Sequence, residues 1–278
     1  MQAITLRNGV AMPLIGFGTV KLFDEVCEAA VCSAMENGYR MIDCAHMYGN
    51  EDTVGRGIAR GLAATGLKRE DLFLVSKVND RFTSYEKTKE GVRLSLKQLG
   101  TDYLDLYLIH EPYPEAVEMY RALEEDYEAG LLRAIGISNF NETGYLRFLE
   151  QVRIPPMVNQ IECHPLHQQL AFQQLMAEHG TVAEAWAPFG SGNAGVGENE
   201  TLIAIGEKYG KTPHQVVLRY DVQCGIPAIP RSSNPGRQQQ NIAVFDFELT
   251  GEEMAAIRAL DTGRTLYDWM EDWNRANS

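Results

Sequence analysis

The stretch Tyr39-Arg40-Met41-Ile42-Asp43-Cys44 is a short apolar run that ends on polar residues, and a helical pattern follows it over 51–64. A short buried strand followed by an amphipathic helix is the repeating unit of parallel α/β folds. Seven further strands are predicted by similar apolar runs, over 14–20, 72–78, 103–109, 132–138, 157–163, 182–187 and 226–230. Helical patterns between them cover 24–37, 84–99 and 115–129, and another helix begins at Thr212-Pro213.

Eight strands that alternate with helices predict the fold class α/β and, within it, a single (β/α)8 TIM barrel. A doubly wound open sheet is the competing interpretation. No composition break or linker divides the chain, so one domain over 1–278 is expected. Asn8-Gly9 lies between two short apolar segments, which predicts a β-hairpin. We expect this N-terminal hairpin to cap the bottom of the barrel.

The charge balance excludes some classes of partner. The 278 residues include 25 Lys and Arg and 38 Asp and Glu, a formal net charge of −13. This argues against a nucleic-acid footprint and against binding to an anionic membrane surface. A small-molecule substrate is expected, and an anionic one would need only a local basic pocket.

The cysteines and the N-terminal residues indicate the cellular compartment in which we expect the protein. Five cysteines without a C-x-x-C motif are typical of free thiols in a reducing environment. The first residues lack the apolar core of a secretory signal, and no apolar run is long enough to span a membrane. A soluble, cytoplasmic protein is expected, and we expect a monomer.

Polar residues follow several predicted strands at the end where barrel enzymes place their active sites. Asp43, Lys77 and His110 end three consecutive strands and would face one another across the barrel mouth. A single residue of this kind is more often a solvated loop residue, but three in succession make coincidence less plausible. The set alone does not choose between an aldolase, an isomerase and a reductase.

Longer motifs make that choice. The stretches GYRMIDCAHMYGNE (38–51), LDLYLIH (104–110), GISNF (136–140), NQIECHP (159–165) and VFDFELT (244–250) occur in this order. Together they resemble the signature of the aldo-keto reductase superfamily, and the pattern is most similar to small prokaryotic-type members such as diketogluconate and methylglyoxal reductases. The resemblance implies NADPH as cofactor, bound without a Rossmann domain, and no metal ion.

The resemblance also implies a catalytic tetrad of Asp43, Tyr48, Lys77 and His110. In this interpretation Tyr48 donates a proton to the carbonyl oxygen during NADPH-dependent reduction of an aldehyde or ketone to an alcohol. The Lys77 ammonium should lower the pKa of Tyr48, and Asp43 should orient Lys77. His110 can donate a hydrogen bond to the carbonyl oxygen.

Cofactor contacts follow from the same resemblance. Ser138, Asn139 and Gln160 would bind the nicotinamide carboxamide, and Trp186 would stack on the nicotinamide ring. The segment 231–241 resembles the part of the family that binds the adenosine phosphate. Its residues toward the 2′-phosphate would be Arg231, Ser232 and Arg237, and those toward the adenine would be Gln240 and Asn241.

Two other motifs are similar to known binding motifs, but we do not assign those binding functions to them. Residues 190–195 fit G-x-G-x-x-G, but the next helix begins only near Asn199, so we expect a flexible loop over the cofactor pyrophosphate. Cys163, His164 and His167 could suggest zinc, yet no fourth ligand is evident.

The substrate pocket departs from the family, which often places tryptophans where this chain has Val20, Asn79 and Glu111. We therefore expect a roomier, more polar mouth suited to small polar carbonyl compounds. Glu111 should disfavour substrates that carry a carboxylate, unless it points to solvent and Trp269 or Trp273 rebuilds an apolar wall. Two other functions remain: a non-catalytic NADPH-binding regulatory barrel, and a Schiff-base aldolase that would need a neutral Lys77.

Overall fold

The computed structural model describes residues 2–267, so the predicted packing of Trp269 and Trp273 lies outside the described residues. Its strands are β1 (Ala3–Thr5), β2 (Ala11–Pro13), β3 (Phe17–Gly18), β4 (Met41–Asp43), β5 (Phe73–Val78), β6 (Leu106–Ile109), β7 (Ile135–Ser138), β8 (Val158–Glu162) and β9 (Val182–Trp186). Its α-helices are α1 (Asp24–Glu36), α2 (Glu51–Thr65), α3 (Tyr85–Leu99), α4 (Ala116–Glu128), α5 (Glu142–Leu149), α6 (Leu170–Glu178), α7 (Glu200–Tyr209), α8 (Pro213–Cys224), α9 (Pro235–Ile242) and α10 (Gly251–Arg258).

The central sheet contains seven parallel strands in sequential order from β3 to β9. Ala228 closes it, because this residue makes parallel bridges both to Ile15, just before β3, and to Ala185 in β9. A strand connected through a helix to its parallel neighbour, repeated around a closed ring, is the (β/α)8 barrel. The α/β barrel prediction is thus confirmed.

The predicted eighth strand over 226–230 is reduced to the bridge at Ala228. Two prolines within this segment explain why, since Pro227 and Pro230 have no N–H group to donate to a ladder. The carbonyl of Pro227 still accepts from Ala185 N, and that of Pro230 accepts from Gly18 N.

The N-terminal hairpin pairs β1 with β2 in antiparallel register. It contacts segments that enter the barrel strands: Asn8 Nδ2 donates to Arg133 O, just before β7, and Arg7 donates to His179 O, just before β9. Its expected role as a cap of the barrel bottom remains a prediction.

Apolar side chains of the strands and the surrounding helices form the main core. A second cluster lies between α7, α8 and α10 and includes Leu202, Tyr220 and Ile257. The strands are buried on both faces, which accounts for their continuous apolar runs. No helix within residues 2–267 is long and apolar enough to cross a membrane.

Candidate active site

Lys77 is the centre of a buried cluster at the carboxyl ends of β4 and β5. Its Nζ lies 2.7 and 2.8 Å from the two carboxylate oxygens of Asp43 and donates to Cys44 O at 3.1 Å. Both side chains are almost fully shielded, at 0% and 1% exposure. A buried charge pair persists only when its geometry is good and its remaining donors are satisfied, and both conditions hold here.

Tyr48 completes this cluster from outside the strands. It ends a short 3-10 turn over His46–Tyr48, and its hydroxyl accepts a hydrogen bond from Lys77 Nζ at 3.3 Å. The His110 ring meets the Tyr48 ring edge-on with centroids 5.6 Å apart. The structure therefore brings together the four residues expected to form the tetrad.

The pKa values of these groups depend on two effects, which are burial and the charges nearby. Burial raises the pKa of Tyr48 to about 12, and the nearby Lys77 ammonium only partly opposes the rise. Lys77 acts on this pKa in the expected direction and lowers it, but desolvation of the buried phenol is the larger effect. Burial and the Lys77 charge hold the pKa of His110 well below its usual range, so its imidazole is neutral.

Lys77 itself remains charged. Burial opposes its ammonium form, but Asp43 and Tyr48 outweigh that effect and raise the pKa of Lys77. A Schiff-base mechanism needs a neutral amine, so this environment does not suit an aldolase.

The turn that carries Tyr48 is fixed by a second polar cluster. His46 Nδ1 lies 2.8 Å from Glu51 Oε2, and Glu51 Oε1 accepts hydrogen bonds from Ser76 Oγ at 2.6 Å and Ser95 Oγ at 2.8 Å. These residues come from the turn, α2, β5 and α3. Two residues of the turn, His46 and Tyr48, are thus tied to separate buried groups, which holds the phenol in place.

Gln160 was expected to bind the cofactor, yet its amide nitrogen already has two partners. Nε2 donates to Asp43 Oδ2 at 3.0 Å and to Glu184 Oε2 at 2.8 Å. Glu184 is fully buried in β9, and burial followed by the charge of Asp43 raises its pKa to about 8. Sequence reasoning missed Glu184, although a carboxylate between Ala183 and Ala185 in an apolar run was a signal.

The other nicotinamide-site candidates lie at the ends of β7 and β9. Ser138 is buried and donates to Gln160 O at 3.0 Å. The next residue, Asn139, accepts from Trp186 Nε1 through Oδ1 at 2.8 Å and donates from Nδ2 to Glu111 Oε1 at 3.1 Å. The half-buried Trp186 ring also contacts Tyr267, with ring centroids 4.8 Å apart. Trp186, Asn139 and Glu111 therefore form one hydrogen-bonded chain beside the tetrad.

The segment 231–241, which is predicted to bind the adenosine phosphate, includes the first residues of α9. Arg231 and Arg237 are exposed, and neither forms an ion pair with any acidic residue in the described part of the chain. Ser232 Oγ accepts from Asn234 N at 3.1 Å, and Asn234 in turn caps α9. Two uncompensated cations at a helix N-terminus suit a phosphate group.

The segment is attached to the barrel by a residue that sequence reasoning did not single out. Gln238 is fully buried and its Nε2 donates to Ala30 O at 3.0 Å and to Ser232 O at 2.9 Å. Of the two adenine candidates, Gln240 is exposed, whereas Asn241 is buried.

The pocket candidates have different environments. Val20 is 38% exposed, whereas Asn79 is 4% exposed and its Oδ1 accepts from Arg81 N. Glu111 is half-buried, and burial raises its pKa to about 8. Within residues 2–267 no cluster of three His, Cys, Asp or Glu side chains could hold a metal ion.

Comparisons with known proteins place this geometry in a family. The family model described as Aldo/keto reductase family matches residues 14–262. The chain is 42% identical over 268 residues to a 9,11-endoperoxide prostaglandin H2 reductase of Trypanosoma cruzi, covering 95% of this chain and 93% of the relative. It is 38% identical over 267 residues to the methylglyoxal reductase DkgA of Salmonella typhimurium, covering 95% and 94%.

Solved structures agree. An aldo-keto reductase from a Medee basin deep-sea metagenome library superposes with a TM-score of 0.91 at 40% identity, covering 95% of this chain and 97% of that one. A Bombyx mori aldo-keto reductase in complex with NADP gives a TM-score of 0.90 at 35% identity, covering 98% and 96%. The protein is therefore an oxidoreductase that belongs to the aldo/keto reductase family.

Proposed function

We propose that the protein reduces aldehydes and ketones to alcohols with NADPH, with Tyr48 as the general acid and without a metal ion. One observation carries the proposal: Lys77 Nζ is 2.7 Å from Asp43 Oδ1 and 3.3 Å from the Tyr48 hydroxyl, and the His110 ring packs edge-on against the Tyr48 ring. A phenol that is held beside a fixed ammonium is built to deliver a proton and to stabilise the phenolate that remains.

The residues present fit an NADP cofactor. NADPH, when bound, supplies the hydride. Arg231, Ser232 and Arg237 would hold its 2′-phosphate, since the two guanidinium groups are exposed and unneutralised by described acidic residues. The adenine would lie against Gln240 and Asn241. Ser138, Asn139 and Gln160 would bind the carboxamide, and Trp186 would cover the ring. Because its Nε2 is occupied by two carboxyl groups, Gln160 would offer Oε1 as an acceptor.

The proton step follows from the relative basicities. With a pKa of about 12, Tyr48 is a protonated phenol throughout the neutral range. An alkoxide formed from a carbonyl is far more basic, since the pKa of an aliphatic hydroxyl group, like that of water, lies well above that of a phenol. Transfer from Tyr48 to the alkoxide is therefore downhill. The neutral His110 can donate a hydrogen bond to the same oxygen without competing for the proton.

The pocket supports small polar carbonyl substrates. Val20, Asn79 and Glu111 offer one small apolar side chain and two polar ones, and bulky apolar substrates would gain little from them. The methylglyoxal reductase name of the Salmonella relative favours the same class. The prostaglandin endoperoxide named for the Trypanosoma relative is larger and more apolar, so it provides a useful contrast substrate.

Purified protein and NADPH with a set of carbonyl compounds test the proposal. We expect NADPH consumption with methylglyoxal and with simple aldehydes, at higher kcat/KM than with a bulky aromatic ketone. The variant His110→Ala should impair reduction while NADPH still quenches protein fluorescence with unchanged affinity. NADPH binding without turnover of any carbonyl would instead support a regulatory barrel.

We also propose that the protein acts as a cytoplasmic monomer. All five cysteines are free thiols, and four of them are buried. Such thiols suit a reducing compartment. Light scattering at micromolar concentration, with and without reductant, should give a mass close to 31.1 kDa.

A further inference from the structure

His46 and Glu51 form a buried pair on either side of the proposed general acid, and the proton step proposed above uses neither side chain. His46 Nδ1 lies 2.8 Å from Glu51 Oε2, and the two side chains are 6% and 2% exposed. His46 begins the 3-10 turn that ends at Tyr48, and Glu51 is the first residue of α2. Their contact therefore closes the segment 46–51 into a loop that carries Tyr48.

The protons of this pair can be assigned from its neighbours. His46 Nε2 lies 2.9 Å from the carbonyl oxygen of Gly91, which can only accept, so Nε2 carries a proton. Nδ1 faces a carboxyl oxygen, so a second proton lies between the two groups. Glu51 Oε1 accepts from Ser76 Oγ and Ser95 Oγ, which stabilises the carboxylate, and an imidazole is more basic than a carboxylate. The second proton therefore resides on His46, whose ring is an imidazolium.

The charged and titratable groups around His46 agree with this assignment. Burial opposes the imidazolium, but Glu51 on α2 and the Gly91 carbonyl on α3 outweigh it and raise the pKa of His46 above its ordinary value of 6.5. Arg81, in the segment before α3, is a cation that opposes the rise. The Tyr107 phenol on β6 borders the same cluster and stays protonated, because burial holds its pKa well above the usual value.

The charge on His46 acts on the tetrad in two ways. Loss of the proton leaves the ring with a single N–H, so it can no longer hold both Glu51 and the Gly91 carbonyl. A cavity of about 150 Å³ borders His46 and Glu51, so the ring and its turn have room to shift. The imidazolium also joins burial and Lys77 in holding the pKa of His110 well below its usual range.

We propose that His46 is a positioning residue whose imidazolium, paired with Glu51, fixes the turn that carries Tyr48, so that loss of its proton at alkaline pH slows reduction. A displacement of about 1 Å in a reacting group can lower a rate by ~10²-fold. The contribution is complete below the ordinary value of 6.5 and is lost as the pH rises through the raised pKa of His46. The inference rests on the proposed function, because it takes Tyr48 as the general acid.

Single-turnover reduction of methylglyoxal by NADPH tests the inference in the natural protein and in His46→Gln. The measured quantity is the ratio of their hydride-transfer rates from pH 6 to pH 10, because titrations shared by both proteins, such as those of Glu111 and Glu184, cancel. We expect the natural protein to be faster by about tenfold or more at pH 6, and the ratio to fall below about threefold by pH 10. The Kd for NADPH should be equal in the two proteins, since neither side chain of the pair belongs to the proposed cofactor site.

His179 provides a matched control, since it is an exposed histidine at the end of α6 and lies outside the proposed site. His179→Gln should match the natural protein at every pH. A ratio of the natural protein to His46→Gln that stays constant between pH 6 and pH 10, whatever its size, would overturn the inference. A purely structural role would change the stability of the protein without producing this pH dependence.

A spectroscopic measurement tests the same inference if His46→Gln does not fold. The chain has six histidines, and NMR of the ¹⁵N-labelled rings shows which of them carry protons on both nitrogens. At pH 7.5 we expect an imidazolium in the natural protein that is lost in Glu51→Gln. Only neutral rings in the natural protein, or an unchanged set of imidazolium rings in Glu51→Gln, would overturn the inference. Absence of hydride transfer to methylglyoxal at every pH in the natural protein would instead refute the proposed function.

Discussion

The proposed catalytic tetrad and the proposed phosphate-binding segment 231–241 are built in opposite ways. Around Lys77 the polar groups are buried and paired with one another, at 2.7 and 2.8 Å to Asp43 and 3.3 Å to Tyr48. At the start of α9, Arg231 and Arg237 extend into solvent and have no acidic partner among residues 2–267. The groups of the proposed tetrad are in place before any ligand binds, whereas the two guanidinium groups would gain a partner only from the ligand.

The difference predicts which substitutions reduce turnover and which reduce the affinity for a ligand. Preorganised buried charges need no rearrangement during the reaction, so substitutions there should reduce turnover strongly. Exposed cations contribute mainly to the binding of an anion, so substitutions there should change affinity and leave turnover nearly intact. The following variants test that contrast.

The largest effect should come from Lys77→Met. Asp43 would be left as a buried, unpaired carboxylate, which typically costs about 3–5 kcal/mol of stability. Turnover should fall by roughly 10³-fold or more, because Tyr48 loses the cation that stabilises its phenolate. Chemical denaturation and steady-state kinetics measure the two effects. Arg153→Ala, at an exposed ion pair with Glu128, should change neither by a comparable amount.

A smaller and more selective effect is expected from Arg237→Ala. The Kd for NADPH should rise by about 10- to 100-fold, since one guanidinium contact to the 2′-phosphate is lost. The Kd for NADH should not change, because NADH lacks that phosphate. Fluorescence titration with both cofactors gives the comparison, and the natural protein should prefer NADPH. Equal increases in the Kd for both cofactors would indicate that Arg237 contacts a part of the dinucleotide other than the 2′-phosphate.

The smallest effect concerns Glu184, which reaches the tetrad through Gln160. Its pKa is raised to about 8, so it gains a negative charge above that pH. That charge weakens the influence of Lys77 on Tyr48 and raises the pKa of the phenol. Alcohol oxidation needs the phenolate, so Glu184→Gln should oxidise alcohols faster than the natural protein at pH 9.5, by about 3- to 10-fold.

The pH range in which this effect appears distinguishes it from a general effect of the substitution. At pH 6.5 Glu184 is neutral in the natural protein, so the two proteins should oxidise alcohols with NADP+ at the same rate. The ratio of their rates should therefore rise as pH passes through about 8. A constant ratio from pH 6.5 to pH 9.5 would show that Glu184 has no electrostatic influence on Tyr48.

Much of the fold could be predicted from the sequence because buried parallel strands read as apolar runs. The strand ends were less predictable, as the segment 103–109 shows. Only Leu106–Ile109 forms β6, because Asp105 turns its carboxylate to the backbone N–H of Leu74 and to Arg69 and Arg133. Local polar bonds of this kind depend on residues distant in sequence, and no pattern within the segment reveals them.

The residues of the candidate site also differ in how well they could be predicted from the sequence. Asp43, Lys77 and His110 follow from their positions at strand ends, whereas Tyr48 lies in a turn and was found only through the family resemblance. Glu51 and Glu184 were missed because a carboxylate in a helix or strand is usually solvated. The burial of Glu51 is visible only when the elements around it are assembled, whereas the place of Glu184 in an apolar run was a signal in the sequence.

The central claim is that Tyr48 supplies the proton from a preassembled site, and single-turnover reduction by Tyr48→Phe tests it most directly. Enzyme in excess over NADPH is mixed with saturating methylglyoxal, and nicotinamide absorbance reports hydride transfer. We predict a rate at least ~10²-fold below that of the natural protein, with the Kd for NADPH within about threefold of its original value. A rate within about tenfold of the natural protein would contradict the assignment of Tyr48 as the general acid.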